Sequence, residues 1–280
     1  MTRSTRTTDA EHGPGNGLPS RVTEFLAAYE KSPGGVPAAP DCQPIDLTPA
    51  LTRMEVQDTP YAFATIESFL PDSLYHAVLH DWPPEPTFST VTVSGSPSGY
   101  FGSRKQRTIE NSATGAGLDT PTWTAARQAL RNPAFVRALF MRFSAIIEAN
   151  LAALGSRMRN APCFKLYANL DAGASEALGA HVDAQTKLLT IVIYLSLSGN
   201  VTGGSAARWG TALYAAEPGA VAPLQFTANA GLPVARQVEF AQNRAFVMPN
   251  AAGTLHGVCG GEDGVARRTL MCGYYLQQPQ

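Results

Sequence analysis

The chemistry-bearing residues of this 280-residue chain begin with His181 and Asp183. They stand two apart in LGAHVDAQTK, just ahead of the longest apolar run, LLTIVIYLSL. On an extended strand, residues two apart point the same way, so an imidazole and a carboxylate are offered to one point. There are five histidines in all. His12 lies in a polar N-terminal stretch. His76 and His80 sit four apart in HAVLH, a spacing that shares one helix face. Without the glutamate that a zinc-protease helix carries, HAVLH reads as a solvated pair. That leaves His256, in NAAGTLHGVC, as the distant partner of His181. Arg267 and Thr269 follow it in ARRTLMCGYYL, again two apart.

Two imidazoles and one carboxylate can occupy one triangular face of an octahedral ferrous ion and leave three positions open. The same three ligands can also bind zinc. An arginine further along adds a planar fork suited to a carboxylate. A small molecule that chelates the ion at one end and carries a carboxylate at the other would span the two features. Arg267 has Arg268 beside it, and a one-residue register slip exchanges the inward arginine for the outward one. We take Arg267 as the inward one, because it shares its face with Thr269.

These residues need a scaffold that brings distant segments together. Residues 20 to 31, SRVTEFLAAYEK, place Val22, Phe25, Leu26 and Tyr29 on one helix face, with Ser20 as the expected cap. FATIESFLPDSLYHAVLHDWPP reads as a strand and then a helix from Pro71–Asp72 to the Pro83–Pro84 stop. Residues 93 to 118, rich in Ser, Thr and Gly, are long enough for a mobile cover. PTWTAARQAL and NPAFVRALFMRFSAIIEANLAAL read as two helices, the second with Phe135, Leu139, Phe143, Ile146 and Leu151 near one face. After residue 160 the texture changes to short strands separated by Gly, Asn and Pro clusters. With no βαβ alternation, the expected class is mainly β with flanking helices, as a sandwich or barrel. Residues 1–19 read as a disordered tail, 20–159 as a mostly helical N-terminal part and 160–280 as the metal-binding core of one domain.

Composition excludes several functions. A formal net charge of −1 gives no broad attraction to nucleic acid or an anionic membrane. No segment approaches the roughly 20 apolar residues of a membrane span. The N-terminus has no apolar stretch of a secretory signal. The four cysteines form no CxxC pair and read as idle thiols of a cytoplasmic protein. Oligomeric state is not readable.

In this order, with HxD first, then a distant His, then Arg-x-Thr opening a last strand, residues 160 to 276 resemble the iron(II)- and 2-oxoglutarate-dependent dioxygenases. KLLTIVIYLSLSGNVTGGSAARWGTALY extends the likeness, and FLPDSLYHAVLHDWP is similar to the family's N-terminal strand and helix. The resemblance implies a double-stranded β-helix (jelly-roll, cupin-like) core. It implies Fe(II) held by His181, Asp183 and His256, with O2 as oxidant. It implies 2-oxoglutarate as cosubstrate, its distal carboxylate gripped by Arg267 with Thr269 and Tyr167 at the cosubstrate site. Succinate and CO2 are then released. Halogenating members carry a small residue where this chain has Asp183, so the resemblance implies hydroxylation or another C–H oxidation.

The substrate is bounded less tightly. Lys165, Tyr167 and Asn169 share one side of the strand CFKLYANL. Lys165, or Arg104 in YFGSRKQR, is a candidate to hold a substrate carboxylate, with a solvated role as the equal alternative. Trp209 is a candidate lid, although packing is the commoner use of a tryptophan. The expected substrate is a small molecule such as an amino acid or a biosynthetic intermediate. The alternatives are a protein or peptide side chain, a non-redox cupin-like metal-binding protein, or a zinc hydrolase. Arg267 with Thr269 argues against the cupin-like protein, which needs no carboxylate fork below the metal, and the fold reading argues against the zinc hydrolase.

Overall fold

The computed structural model describes residues 17–32, 45–91, 104–109, 118–155, 161–173, 178–199, 201, 205–215 and 232–277. The expected N-terminal tail lies almost wholly outside the described residues, as do most of the expected 93–118 cover and Cys42.

The helices are α1 (Ser20–Lys31), α2 (Asp72–His80), α3 (Pro121–Arg131), α4 (Pro133–Arg142), α5 (Ser144–Leu154) and α6 (Ser205–Arg208). The strands are β1 (Met54–Gln57), β2 (Phe63–Ile66), β3 (Ser89–Thr90), β4 (Arg104–Thr108), β5 (Ala161–Gly173), β6 (Leu178–His181), β7 (Lys187–Ser198), β8 (Thr211–Tyr214), β9 (Val234–Val238), β10 (Arg244–Pro249), β11 (His256–Val258) and β12 (Glu262–Gln277). One sheet runs β1-β2-β10-β7-β12-β5-β4-β3 and the other β6-β11-β8-β9. Every pairing is antiparallel.

The jelly roll is visible in the strand order. The eight strands from β5 to β12 divide between the sheets, β5, β7, β10 and β12 lying in the large one and β6, β8, β9 and β11 making up the small one, with β8 and β9 paired as neighbours. This is the double-sheet, two-Greek-key arrangement expected from the strand-rich half of the sequence. Strand alternation divides the large sheet into two faces. On β5 and β12, Phe164, Leu166, Ala168, Leu170, Leu270, Cys272, Tyr274 and Leu276 join a continuous core with α1 to α5. Their odd-numbered neighbours, including Asn169, Asp171, Arg267 and Thr269, turn toward the barrel interior. Phe63, Tyr194, Leu213, Val238, Phe246 and Met248 fill part of that interior.

The N-terminal part carries α1 to α5 and four short strands. β1 and β2 extend the large sheet at one edge, and β3 and β4 at the other. Sequences such as MEVQ and RKQRT carry little strand signal because edge strands bury so little. The expected long helix from 132 to 154 is two helices, broken at Phe143 (φ −121, ψ 21). No Pro or Gly marks that break. Its effect is to bury Ile147, Leu151 and Leu154, leaving Ile146 half-buried. α1 buries Val22, Phe25, Leu26 and Tyr29 as expected, but Pro19 takes the N-cap position and no side chain caps the helix. His76 and His80 are exposed on α2, and His80 pairs with Asp81. Among the described residues no helix is long and apolar enough to cross a membrane, and no disulfide joins Cys163, Cys259 or Cys272 to another.

Candidate metal centre

β6 and β11 are neighbours in the small sheet, and their register sets His181 directly opposite His256. The two rings lie 4.2 Å apart between centroids. Asp183 is not on the strand itself, since β6 ends at His181. It stands in the turn that follows and still reaches the same point. One ligand atom from each of His181, Asp183 and His256 lies within 4.8 Å of the others, and among the described residues this is the group able to hold a metal ion.

Backbone carbonyls orient both imidazoles. His181 Nδ1 lies 3.0 Å from Gly179 O, and His256 Nδ1 lies 3.0 Å from Thr254 O. A carbonyl oxygen only accepts, so each Nδ1 carries the proton and each Nε2 keeps a lone pair for a metal. Burial pushes the His181 pKa down to about 3, helped by the neighbouring His256. His256 is also lowered, first by burial. Both rings are therefore neutral near pH 7, which is the ligating form. Burial alone would raise Asp183, but Lys187, both histidines and the Thr190 hydroxyl outweigh it and hold the carboxyl well below its usual range.

Four supporting residues were not singled out from the sequence. Lys187 Nζ lies 2.9 Å from Asp183 Oδ2, both side chains being largely buried. Thr190 Oγ1 donates to the same oxygen at 2.7 Å. Asn250 ties the two halves of the site together. Its Nδ2 donates to Ala184 O at 2.8 Å, and its Oδ1 accepts from Thr254 Oγ1 at 3.2 Å. Thr254 in turn supplies the carbonyl that orients His256. The fourth, Asp171, accepts from Arg104 Nε at 2.6 Å, from Arg104 Nη2 at 2.9 Å and from Arg267 Nη1 at 2.7 Å. Lys187 and Asn250 flank motif residues, but nothing in one sequence distinguishes them from solvated neighbours. Asp171 was visible only as part of a strand face.

The arginine register is settled by burial. Arg267 is wholly buried, with its guanidinium 5.3 Å from the Tyr194 ring centroid. Arg268 points to the helix face and lies over Trp82 at 5.6 Å. Arg267 Nε, Arg267 Nη2 and Thr269 Oγ1 are buried with no hydrogen-bond partner. Buried unpaired donors are costly, about 1–3 kcal/mol each, so three of them at adjacent inward positions mark a place for an acceptor. A carboxylate has the geometry to take them. The donor set of the triad and these orphaned atoms thus both fit the expected metal and dicarboxylate.

Metal triad and arginine share one cavity of about 350 Å³, also lined by Arg104, Tyr167 and Asn169. Arg104 faces the cavity, but its Nε and Nη2 are committed to Asp171, which corrects its expected role as a free substrate clamp. Asn169 accepts from Gln106 Nε2 at 2.8 Å. Lys165 is not among the residues lining this cavity; its ammonium lies 5.3 Å from the ring centroid of Tyr275, which is. Trp209 does not face the cavity. It is fully buried against Val258 and Val265, and a Cβ on Gly260 would come within 2.5 Å of its ring. The lid role gives way to packing, because an indole this enclosed has no room to swing.

No protein-family model and no curated protein matches the sequence. Several solved structures are similar. One is a prolyl hydroxylase in complex with a hypoxia inducible factor peptide fragment from Trichoplax adhaerens, at 14% identity over 91% of this chain and 92% of that one, with a TM-score of 0.46. Another is a Pseudomonas putida prolyl-4-hydroxylase, at 12% identity over 82% and 97%, with a TM-score of 0.48. A third is HygX from Streptomyces hygroscopicus with nickel and 2-oxoglutarate bound, at 14% identity over 76% and 82%, with a TM-score of 0.44. At such identities and scores the reading of the site rests on the chain's own strand order and ligand geometry. On those grounds the protein is a double-stranded β-helix that gathers two neutral imidazoles and one carboxylate in a cavity it shares with a buried, half-partnered arginine.

Proposed function

We propose that the protein is an iron(II)- and 2-oxoglutarate-dependent oxygenase that oxidises, most simply by hydroxylation, a C–H bond of a small molecule. The observation that carries this reading is the trio of unpartnered buried donors, Arg267 Nε and Nη2 and Thr269 Oγ1. Arg267 lines the same cavity as the His-Asp-His site, and Thr269 lies two residues further along the same strand. A metal-binding jelly roll without a dicarboxylate partner has no use for them.

His181 Nε2, His256 Nε2 and an Asp183 carboxylate oxygen would hold the metal. Iron(II) there supplies the oxygen activation that couples oxidative decarboxylation of 2-oxoglutarate to C–H oxidation. The chain's own residues supply position. Arg267 and Thr269 take the distal carboxylate, and Asp171 holds Arg267 in place. The apolar wall of Val192 and Met271 limits water in the cavity. A volume of about 350 Å³ suits a cosubstrate with a small substrate, which favours a small molecule over a peptide. The cysteine spacing, which resembles no disulfide framework, supports a cytoplasmic setting.

The test is succinate formation under air with ferrous iron, 2-oxoglutarate and ascorbate. Wild type is expected to form succinate and to bind nickel(II), while His256→Ala loses both. Full succinate production by His256→Ala would remove His256 from the ligand set. Absence of any 2-oxoglutarate binding by metal-loaded wild type would end the oxygenase reading.

A further inference from the structure

We propose that the substrate carries a carboxylate, and that Lys187 and Lys165, flanking the Tyr275 ring, recognise it. This rests on the oxygenase reading and names the class of molecule it acts on.

The cluster is built by three adjacent strands. β12 lies between β5 and β7, with Gly273 opposite Lys165 on one side and Tyr275 opposite Lys187 on the other. The Lys165 and Lys187 ammoniums lie 5.3 and 5.7 Å from the Tyr275 ring centroid. Gly273 makes the arrangement possible. A Cβ there would stand 2.6 Å from Tyr275 Cε2 and 2.9 Å from Lys187 Cε. The ring and the lysine stem therefore pack directly on bare backbone.

Position separates this cluster from the cosubstrate end. Along β12, Arg267 and Tyr275 are eight residues apart, roughly 26 Å of strand. A five-carbon dicarboxylate reaching Arg267 leaves the Tyr275 end unfilled. Lys187 and Tyr275 both line the cavity that holds the metal triad, so a molecule anchored at this end is beside the metal.

Charge supplies the ligand's sign. Among the described residues around the site, three cations, Arg104, Lys187 and Arg267, are paired with two carboxylates, Asp171 and Asp183. A divalent ion and a dianionic cosubstrate cancel each other. Among these groups one positive charge remains, and Lys165 beside Tyr275 adds another. Lys187 is paired with Asp183 here at 2.9 Å, but a divalent ion at the triad competes for that carboxylate with twice the charge. In the loaded site the ammonium needs another anion, since a buried unpaired charge is expensive. A substrate carboxylate over Tyr275 meets that need.

The experiment loads the full chain with nickel(II) and 2-oxoglutarate, confirms both by calorimetry, and then titrates benzoate and its neutral isostere benzamide. Wild type is expected to bind benzoate about tenfold or more tightly than benzamide, the worth of one charge-assisted contact. Lys165→Met/Lys187→Met is expected to lose the preference, and Lys187→Arg to keep most of it. Equal binding of the two probes by wild type, no benzoate binding, or a preference that survives in the double variant each overturns the proposal. The wild-type comparison needs no variant to fold. Failure of nickel(II) or 2-oxoglutarate to bind is a separate result that defeats the oxygenase reading first.

Discussion

Arg267 Nη1 donates to Asp171 Oδ2 at 2.7 Å, both side chains lying in the interior of the barrel. Asp171 is also chelated by Arg104, so a single carboxylate holds two buried guanidiniums. Arg267 is thereby fixed with its remaining donors directed elsewhere, ready for a second carboxylate without rearrangement.

Loss of that anchor is expected to affect stability and binding together. Asp171→Asn leaves two buried cations without their counter-ion and lowers stability near pH 7 by about 3–5 kcal/mol. Burial alone would raise the Asp171 carboxyl, but Arg104 and Arg267 outweigh it and hold it below the usual value. Its contribution is therefore complete above the unfolded value of about 3.9 and is lost as pH falls through the folded one. Urea denaturation at stepped pH should show a shallower acid limb for Asp171→Asn than for wild type.

The two arginines are expected to separate cleanly. Arg267→Ala should weaken 2-oxoglutarate binding about 100-fold or more, because the distal carboxylate loses its buried fork. Arg268 lies over Trp82 on the helix face, so Arg268→Ala should bind the cosubstrate as wild type does. Calorimetric titration of nickel-loaded protein distinguishes them. The reverse order would place the opposite residue in the cavity.

Lys187 opposes the metal it sits beside. Its ammonium already neutralises Asp183, and a divalent ion must displace or tolerate it. Lys187→Met keeps the stem length and removes the charge. Its affinity for nickel(II) or cobalt(II), measured without 2-oxoglutarate, is expected to rise about tenfold or more. A fall in affinity would mean that Lys187 chiefly positions Asp183.

Asn250 is expected to matter without touching the metal. It connects the Asp183–Ala184 turn to Thr254, whose carbonyl orients His256. Asn250→Ala should weaken metal binding about 10- to 100-fold, as loss of an outer hydrogen-bond partner does. The cobalt(II) absorption spectrum should shift at the same time, because a displaced imidazole changes the ligand field.

Much of this site could be read from residue types in order. His181, Asp183 and His256 were legible from their chemistry and their order along the chain, although Asp183 reaches the site from the turn after β6 and not from the strand. Arg267 and Thr269 needed the same period plus a position near the end of the chain. The strand-rich half was legible because β12 and β7 alternate or run apolar over long stretches. The edge strands MEVQ and RKQRT, and the break at Phe143, were not, since neither propensity nor Pro and Gly marks them.

The sequence by itself determined the ligand types, the two-residue alternation along β5 and β12 and the strand-rich class of the C-terminal half. These follow from residue chemistry and local periodicity, which a single chain carries. Only the tertiary structure decided that Arg267 rather than Arg268 faces inward, that Arg104 is committed to Asp171, that Trp209 is packing, and that Lys187 meets Asp183. The first three depend on which segments become neighbours and in what register, as in Asp171–Arg267, 96 residues apart; Lys187 and Asp183 meet across the turn between β6 and β7, whose geometry no periodicity encodes.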